Sequence, residues 1–387
     1  MLFYKDGREF GTMARPRFGQ GLAGSTGGFS VKNKVGLWLL TMLAVLVLLA
    51  SGFIFTRPEG DNQQQKNIAP DKISIIDSRG RKVELPGPPV RIASIGSGLE
   101  TLLAFGVKED IAAISGYSRN RQDYKLFLPD VPDVGGSNKP NLEKVLAVNP
   151  DMVLAYAIYP YPELVPVLAE RGIPLVQLDF FIPEKYEQEV RTLGKILRKE
   201  SRAEELIAFE RQHLDFIINR VKNIKPAAKV RVYTESFLPY QIESLKEESR
   251  DATRGCGGIN IFAGVANSSI VSSEAVVEKN PDVIIKLVNV QTYPSGYGIT
   301  DAAALAALRQ ELMDRPGWQQ INAVKNGKVY IISTDTKSIH PSVYYSYLAK
   351  WFYPESFPEL NPSGIHQAWF RQFFGIDLHG IYTYPDR

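Results

Sequence analysis

The chain is poor in the residues that carry most protein chemistry. Its 387 residues include one cysteine, Cys256, which excludes an intrachain disulfide and any multi-cysteine zinc or iron–sulfur site. Four histidines, His213, His340, His366 and His379, are scattered without a pair at metal-ligand spacing. A binding protein for bare zinc or manganese needs a cluster of such ligands and is disfavoured. Net charge is only +3, which leaves no overall basic field for a nucleic-acid partner. No Ser-His-Asp order, phosphate loop or paired acid stands at an expected strand end, so an enzyme is not expected. The remainder is ordinary globular composition, 44% hydrophobic and 22% charged.

One phrase occurs twice. The first copy runs from Asn141 to Ala155 and the second from Ser272 to Lys286. Each begins with a helix-capping residue, Asn141 or Ser272, followed two positions later by Glu143 or Glu274, whose charge the helix dipole favours. Each short helix stops at Asn-Pro, since proline disfavours helical geometry in the residue before it. Each continues into an aliphatic run that reads as a buried strand. The repeat predicts two lobes, each with an equivalent glutamate at the tip of an equivalent helix.

The N-terminal part sets the expected compartment. Val35 to Phe55 is an uncharged stretch long enough to cross a bilayer, which takes about 20 residues. The flank before it is richer in Lys and Arg than the flank after it, so residues 1–34 are expected in the cytoplasm and the rest outside. A cleaved signal sequence, with small residues near Ala50-Ser51-Gly52, is the alternative. No cysteine follows the segment closely, which excludes a lipid-anchored lipoprotein.

Beyond a polar tether at 56–72, Ile73–Ile76 and Lys82–Leu85 read as a β-hairpin. Strands at 91–95, 111–115 and 174–178 then alternate with helices, implying a parallel sheet covered by helices. The rhythm breaks at 199–224, where Leu206, Phe209, Phe216, Ile217 and Val221 form one apolar helix face. A helix of that length spans on the order of 35 Å and is expected to join two lobes, 73–198 and 225–387. A second series comes after it, with strands at 229–234 and 328–333 and a helix at 342–352. The fold class expected is therefore α/β: two Rossmann-like βα lobes joined by one long rigid helix, preceded by a transmembrane helix.

Segments in this order resemble the class III substrate-binding proteins of ABC importers for ferric siderophores, haem and cobalamin. They are Val90–Ser94, the first repeat with Val134-Gly135-Gly136, Gly257–Phe262, the second repeat, and Arg315-Pro316-Gly317-Trp318 through Tyr330. The resemblance implies that Glu143 and Glu274 dock on arginines of a permease dimer, itself driven by ATPase subunits. It implies a monomer that captures an iron–siderophore complex between its lobes, cobalamin or haem being alternatives, with no cofactor of its own. A ligand-free envelope scaffold is the alternative from another class.

Ligand is expected at loops following strand C-termini. In the first lobe these carry Tyr117, Arg119, Asn138, Lys139, Tyr156, Tyr159, Phe180 and Phe181. In the second they carry Phe237, Tyr240, Tyr293 and His340. Flat aromatic walls with a few cations suit a bulky, partly anionic chelate with apolar arms. Arg119 and Lys139 are the expected anion contacts. His340 reads as a haem-iron ligand, a cap for the following helix or a contact to the ligand's periphery.

Overall fold

The computed structural model describes residues 72–96, 98–243, 251–337 and 341–386. The tail 1–34, the apolar stretch 35–55, nearly all of the tether 56–72, and His340 lie outside them. Among the described residues no helix is long and apolar enough to cross a membrane.

The hairpin forms as its alternation dictates. Strands β1 (Ile73–Ile76) and β2 (Lys82–Leu85) pair antiparallel, with Ile73 and Ile75 turned inward. Next in the chain is the first sheet: β3 (Ile92–Ser94), β4 (Ile111–Ile114), β5 (Met152–Ala155) and β6 (Leu175–Gln177), all parallel in the order β4-β3-β5-β6. The second holds β7 (Arg231–Glu235), β8 (Ile259–Asn260), β9 (Val283–Val288) and β11 (Val329–Ser333), parallel in the order β11-β9-β7-β8. Strand β13 (Thr383–Tyr384) adds an antiparallel edge to β11, and β10 (Gly296–Tyr297) pairs separately with β12 (Gly380–Ile381).

The two sheets share one topology. In each, the second strand lies on one side of the first and the later strands on the other. The chain therefore reverses direction between β3 and β5 in one sheet and between β7 and β9 in the other. Open α/β sheets bind ligands in the crevice beyond such a reversal.

The helices that position the site are α1 (Gly98–Ala104), α2 (Leu142–Ala147), α3 (Pro183–Leu197), α4 (Glu200–Val221), α5 (Ser273–Lys279), α6 (Pro341–Phe352) and α7 (Pro362–Trp369). Helix α4 has 22 residues and runs between the two sheet-forming segments of the chain. It buries Leu206, Phe209, Ile217 and Val221 of the face expected, leaves Phe216 half-buried, and buries Glu210 as well. The Glu210 carboxylate accepts hydrogen bonds from the Ser342 N–H at 2.9 Å and hydroxyl at 3.0 Å, at the first turn of α6. Burial pushes its carboxyl up to about 8 despite these bonds.

Alternate residues of each strand face different cores. Ile92, Met152 and Leu154 of the first sheet and Val283, Ile285 and Leu287 of the second belong to one apolar cluster. That cluster runs through α3, α4 and α6 into a C-terminal aromatic run of Trp369, Phe370, Phe373 and Phe374. The outer face of each sheet has its own cluster, with Ala93, Val153 and Ala155 in one and Ile284, Val288 and Ile331 in the other. Helix α4 is thus not the sole apolar link between the sheets. The π-turn Phe370–Phe374 after α7 also packs on α1.

Candidate functional site

The repeated phrase folds the same way twice. The Asn141 side chain accepts from the Lys144 N–H at 2.9 Å and caps α2; the Ser272 hydroxyl accepts from the Ala275 N–H at 3.2 Å and caps α5. Glu143 and Glu274 are both exposed in the first turn. The helix ends are set by the asparagines as well as the prolines: Asn149 and Asn280 take left-handed backbone, with φ of 44° and 39°. Asp151 and Asp282 accept the backbone N–H of Arg91 and Arg231 at 2.9 Å each. Those arginines return a guanidinium bond, Arg91 to the Val148 carbonyl and Arg231 to that of Lys279, each at 2.7 Å. The duplication therefore extends to the strand beside each repeat.

Loops at the strand ends carry the other expected residues. At the reversal of the first sheet β3 and the residues after β5 come so close that a Cβ on Gly96 would meet the Tyr156 nitrogen at 2.8 Å. Beyond this approach Tyr156 packs edge-on against Tyr159 and Phe181, with ring centroids 5.8 and 6.1 Å away, and Tyr159 against Tyr161 at 6.0 Å. The wall is held from behind. The Gln177 amide donates to the carbonyls of Tyr156 at 2.6 Å and Tyr159 at 2.8 Å. Asp179 accepts from the backbone N–H of Ala157 at 2.8 Å and of Ile158 at 3.2 Å. Burial, with the Asp179 charge as a second cause, raises the Tyr159 phenol above its ordinary value, so it stays a protonated donor.

Phe180 does not join this wall. It is fully buried in the apolar core, while Phe181 is half-buried. The backbone turns left-handed at Phe180, with φ of 63°, and the two rings part there. Asn138 and Lys139 are exposed and line a pocket of about 330 Å³ with Tyr161 and Glu163. Tyr161 closes that loop by donating its hydroxyl to the Ser137 carbonyl at 2.7 Å.

Tyr117 lies where the two halves meet. Its hydroxyl donates to Asp335 Oδ1 at 2.6 Å, a residue of the loop after β11. Arg119, expected to meet an anion, turns back on its own lobe and donates to the Pro129 carbonyl at 2.6 Å. Arg121 is the buried cation instead. It forms a two-pronged pair with Asp123, reaches Glu100 at 3.4 Å and Asp335 at 3.6 Å, and lies 4.1 Å over the Tyr124 ring. A Cβ on Gly296 would meet Asp335 Oδ2 at 2.7 Å, so the β10 loop also closes on this junction. One guanidinium thus faces three carboxyls. Burial, with Asp123 and Asp335 nearby, outweighs Arg121 and pushes Glu100 up to about 7.

In the second half, Glu235 ends β7 and organises the following loop. It accepts from Arg315 at 2.6 and 3.0 Å and pairs with Lys286 at 3.0 Å. Lys286 also donates to the carbonyls of Ser236 at 2.5 Å and Phe237 at 3.2 Å. Phe237 is left 38% exposed, while Tyr240 is half-buried under the Arg315 guanidinium, 4.3 Å away. Tyr293 is half-buried after β9. Sequence reading missed Arg121, Glu100, Asp335 and Glu235, which act by meeting across long chain separations. Cys256 is fully buried and donates to the Tyr345 carbonyl.

These features, paired α/β sheets with matched crevices and an aromatic wall at one, define a two-sheet binding-protein fold. The periplasmic binding protein family matches residues 92–336, and the chain belongs to that family. Relatives include an uncharacterised ABC transporter substrate-binding lipoprotein of Bacillus subtilis, 24% identical over 340 residues, covering 85% of this chain and 100% of the relative. The iron-uptake system-binding protein of the same organism is 24% identical over 309 residues, 78% of this chain and 92% of its own. The fold resembles that of a TroA-like periplasmic binding protein from Veillonella parvula, with a TM-score of 0.70, 24% identity, and coverage of 80% of this chain and 99% of that one. Residues 72–386 are thus those of a solute-binding protein in fold and family.

Proposed function

We propose that the chain captures an iron–siderophore complex on the extracytoplasmic face of a membrane and delivers it to an ABC permease. The observation that carries this is the wall of Tyr156, Tyr159 and Phe181 at the β3–β5 reversal. Aromatic faces of that kind suit a bulky chelate with apolar surface. The iron-uptake relative of B. subtilis and a ferric-anguibactin-binding protein of Vibrio anguillarum, 26% identical over 221 residues, favour iron over the alternatives. Cobalamin is the second reading, supported by a vitamin B12-binding protein of Pectobacterium carotovorum, 27% identical over 221 residues.

Glu143 and Glu274 are the proposed contacts to the permease. They are exposed, equivalently capped and one per repeat. The helix backbone and the Ser272 hydroxyl hold the Glu274 carboxyl below its usual range, which keeps it charged. Retention at the membrane is assigned to the stretch 35–55. Calorimetric titration of the purified chain with ferric siderophores, cyanocobalamin and haemin tests the reading. Heat from a siderophore alone is the expected result; no heat from any of them would sink the proposal in favour of a ligand-free scaffold.

A further inference from the structure

The turn of the N-terminal hairpin ends at the aromatic wall. Residues 77–81 join β1 to β2, and Asp77 shapes the turn by accepting the backbone N–H groups of Arg79 and Arg81 at 3.0 Å each. Its carboxylate also pairs with the Arg81 guanidinium at 2.6 Å, which in turn reaches the Leu175 carbonyl of β6 at 3.2 Å. The Ser78 N–H donates to the Gln177 carbonyl at 2.9 Å. The Ser78 hydroxyl donates to Glu189, whose carboxylate also accepts the backbone N–H of Asp179 at 3.1 Å. The turn is thus seated on the C-terminal end of β6, the end from which the chain runs on to Phe181.

From that seat Arg79 reaches the wall. Its guanidinium donates to the carbonyl of Ala157, the residue after Tyr156, at 2.7 Å. The loop is held from two sides. Asp179, fully buried, accepts the Ala157 N–H from within, while Arg79, exposed, bonds the Ala157 carbonyl from the solvent side. Among the described residues that carbonyl is the only partner of the guanidinium, and no carboxylate pairs with it. A guanidinium carries five N–H donors in a planar fork, so one held by a single carbonyl keeps most of them for a second oxygen-rich group. The other cations of this half are placed differently. Arg119 donates to the Pro129 carbonyl, Arg121 is buried against carboxylates, and Lys139 lies in the separate pocket with Glu163.

We propose that Arg79 is a ligand contact. Its guanidinium, fixed at the edge of the wall by the Ala157 carbonyl, pairs with anionic oxygens of the chelate, those of a carboxylate or a catecholate, while Tyr156, Tyr159 and Phe181 cover the chelate's apolar surface. This rests on the reading of the chain as a chelate-binding protein. It moves the anion contact expected at Arg119 and Lys139 to the hairpin turn. Such pairing is charge-assisted and two-pronged, and a lysine ammonium cannot reproduce its fork.

The test is calorimetric titration of the full chain in neutral detergent at low salt. It compares the anionic ferric citrate and ferric enterobactin with the neutral ferrichrome and cyanocobalamin. The parent chain should bind at least one anionic complex. Arg79→Ala should weaken that binding at least about tenfold, and Arg79→Lys should weaken it less, because the charge stays and the fork is lost. Thermal unfolding should stay the same, as should affinity for any neutral complex that binds. An equal loss for anionic and neutral complexes, or a loss matched by a lowered unfolding temperature, would make Arg79 a brace of the loop and overturn the contact. Unchanged anionic affinity in Arg79→Ala would overturn it as well. Binding of neutral complexes alone by the parent chain rejects the Arg79 contact and leaves the chelate-binding reading intact. Binding of none rejects both.

Discussion

The two halves of this protein share a frame but treat buried acid in opposite ways. Glu100 of the first half competes with Asp123 and Asp335 for the single guanidinium of Arg121, and its carboxyl rises to about 7. Glu235 of the second half is as deeply buried, yet it has Arg315 and Lys286 to itself. Burial alone would raise its carboxyl too, but the two cations outweigh burial and hold it below the usual range. The number of cations per carboxylate, not depth, decides which acid is charged. The same contrast appears at matched places in the repeat: the first copy ends in Ala155, while the second ends in Lys286, which binds Glu235. Duplication preserved the capping, the strand pairing and the Arg–Asp exchange, and left each half to build its own loop support.

The contrast can be broken most sharply at Glu235. Glu235→Ala leaves two buried cations without their carboxylate and removes the anchor of the Tyr240 N–H, bonded to it at 2.9 Å. A loss of about 3–5 kcal/mol in urea unfolding is expected. A loss under about 1 kcal/mol would show that Glu235 is not the charged hub described.

At Glu100 the expected change has the other sign. A carboxyl whose folded value lies above its unfolded one stabilises the fold fully below about 4.5, and this stability is lost as pH rises through about 7. Glu100→Gln, neutral at every pH, should flatten that stretch of the stability curve and gain about 1–3 kcal/mol at pH 8. An equal pH slope in the variant and the parent protein would show that Glu100 holds no extra proton.

The smallest effects are expected on the surface. A charge at a helix N-terminus is worth roughly 0.3–1 kcal/mol, so Glu143→Lys and Glu274→Lys should leave ligand affinity unchanged and lower thermal stability only slightly. Each alone should slow uptake to a similar degree, and the double variant should abolish it, because docking orientation depends on both. Normal uptake by the double variant would remove the docking role, and a large inequality between the singles would deny the equivalence of the halves.

Much of this frame is written locally. The hairpin, the capped helix and strand of each repeat, and the helix at Glu200–Val221 arise from short-range periodicity and capping. The site is less legible because its electrostatics are assembled from a distance. Arg121 and Asp335 meet across most of the fold, and nothing in the sequence near either marks the other. The placement of Phe180 and Arg119 was hard to read for a related reason. Whether a ring faces out, or a guanidinium reaches a carbonyl nearby, depends on strand ends that differ by single residues. The aromatic run Trp369–Phe374 fits neither the strand nor the helix pattern, yet it packs on α1 and belongs to the shared core.

That shared core also bears on how a loaded receptor is told from an empty one. Swinging the halves apart would wet Ile217, Trp369 and Phe370, all fully buried in one cluster that touches both sheets. The glutamate-bearing helices therefore ride on a chassis of fixed gauge. On the proposed docking, news of an occupied cleft would reach the permease as a change in loop shape or surface charge, measured against a ruler that does not stretch.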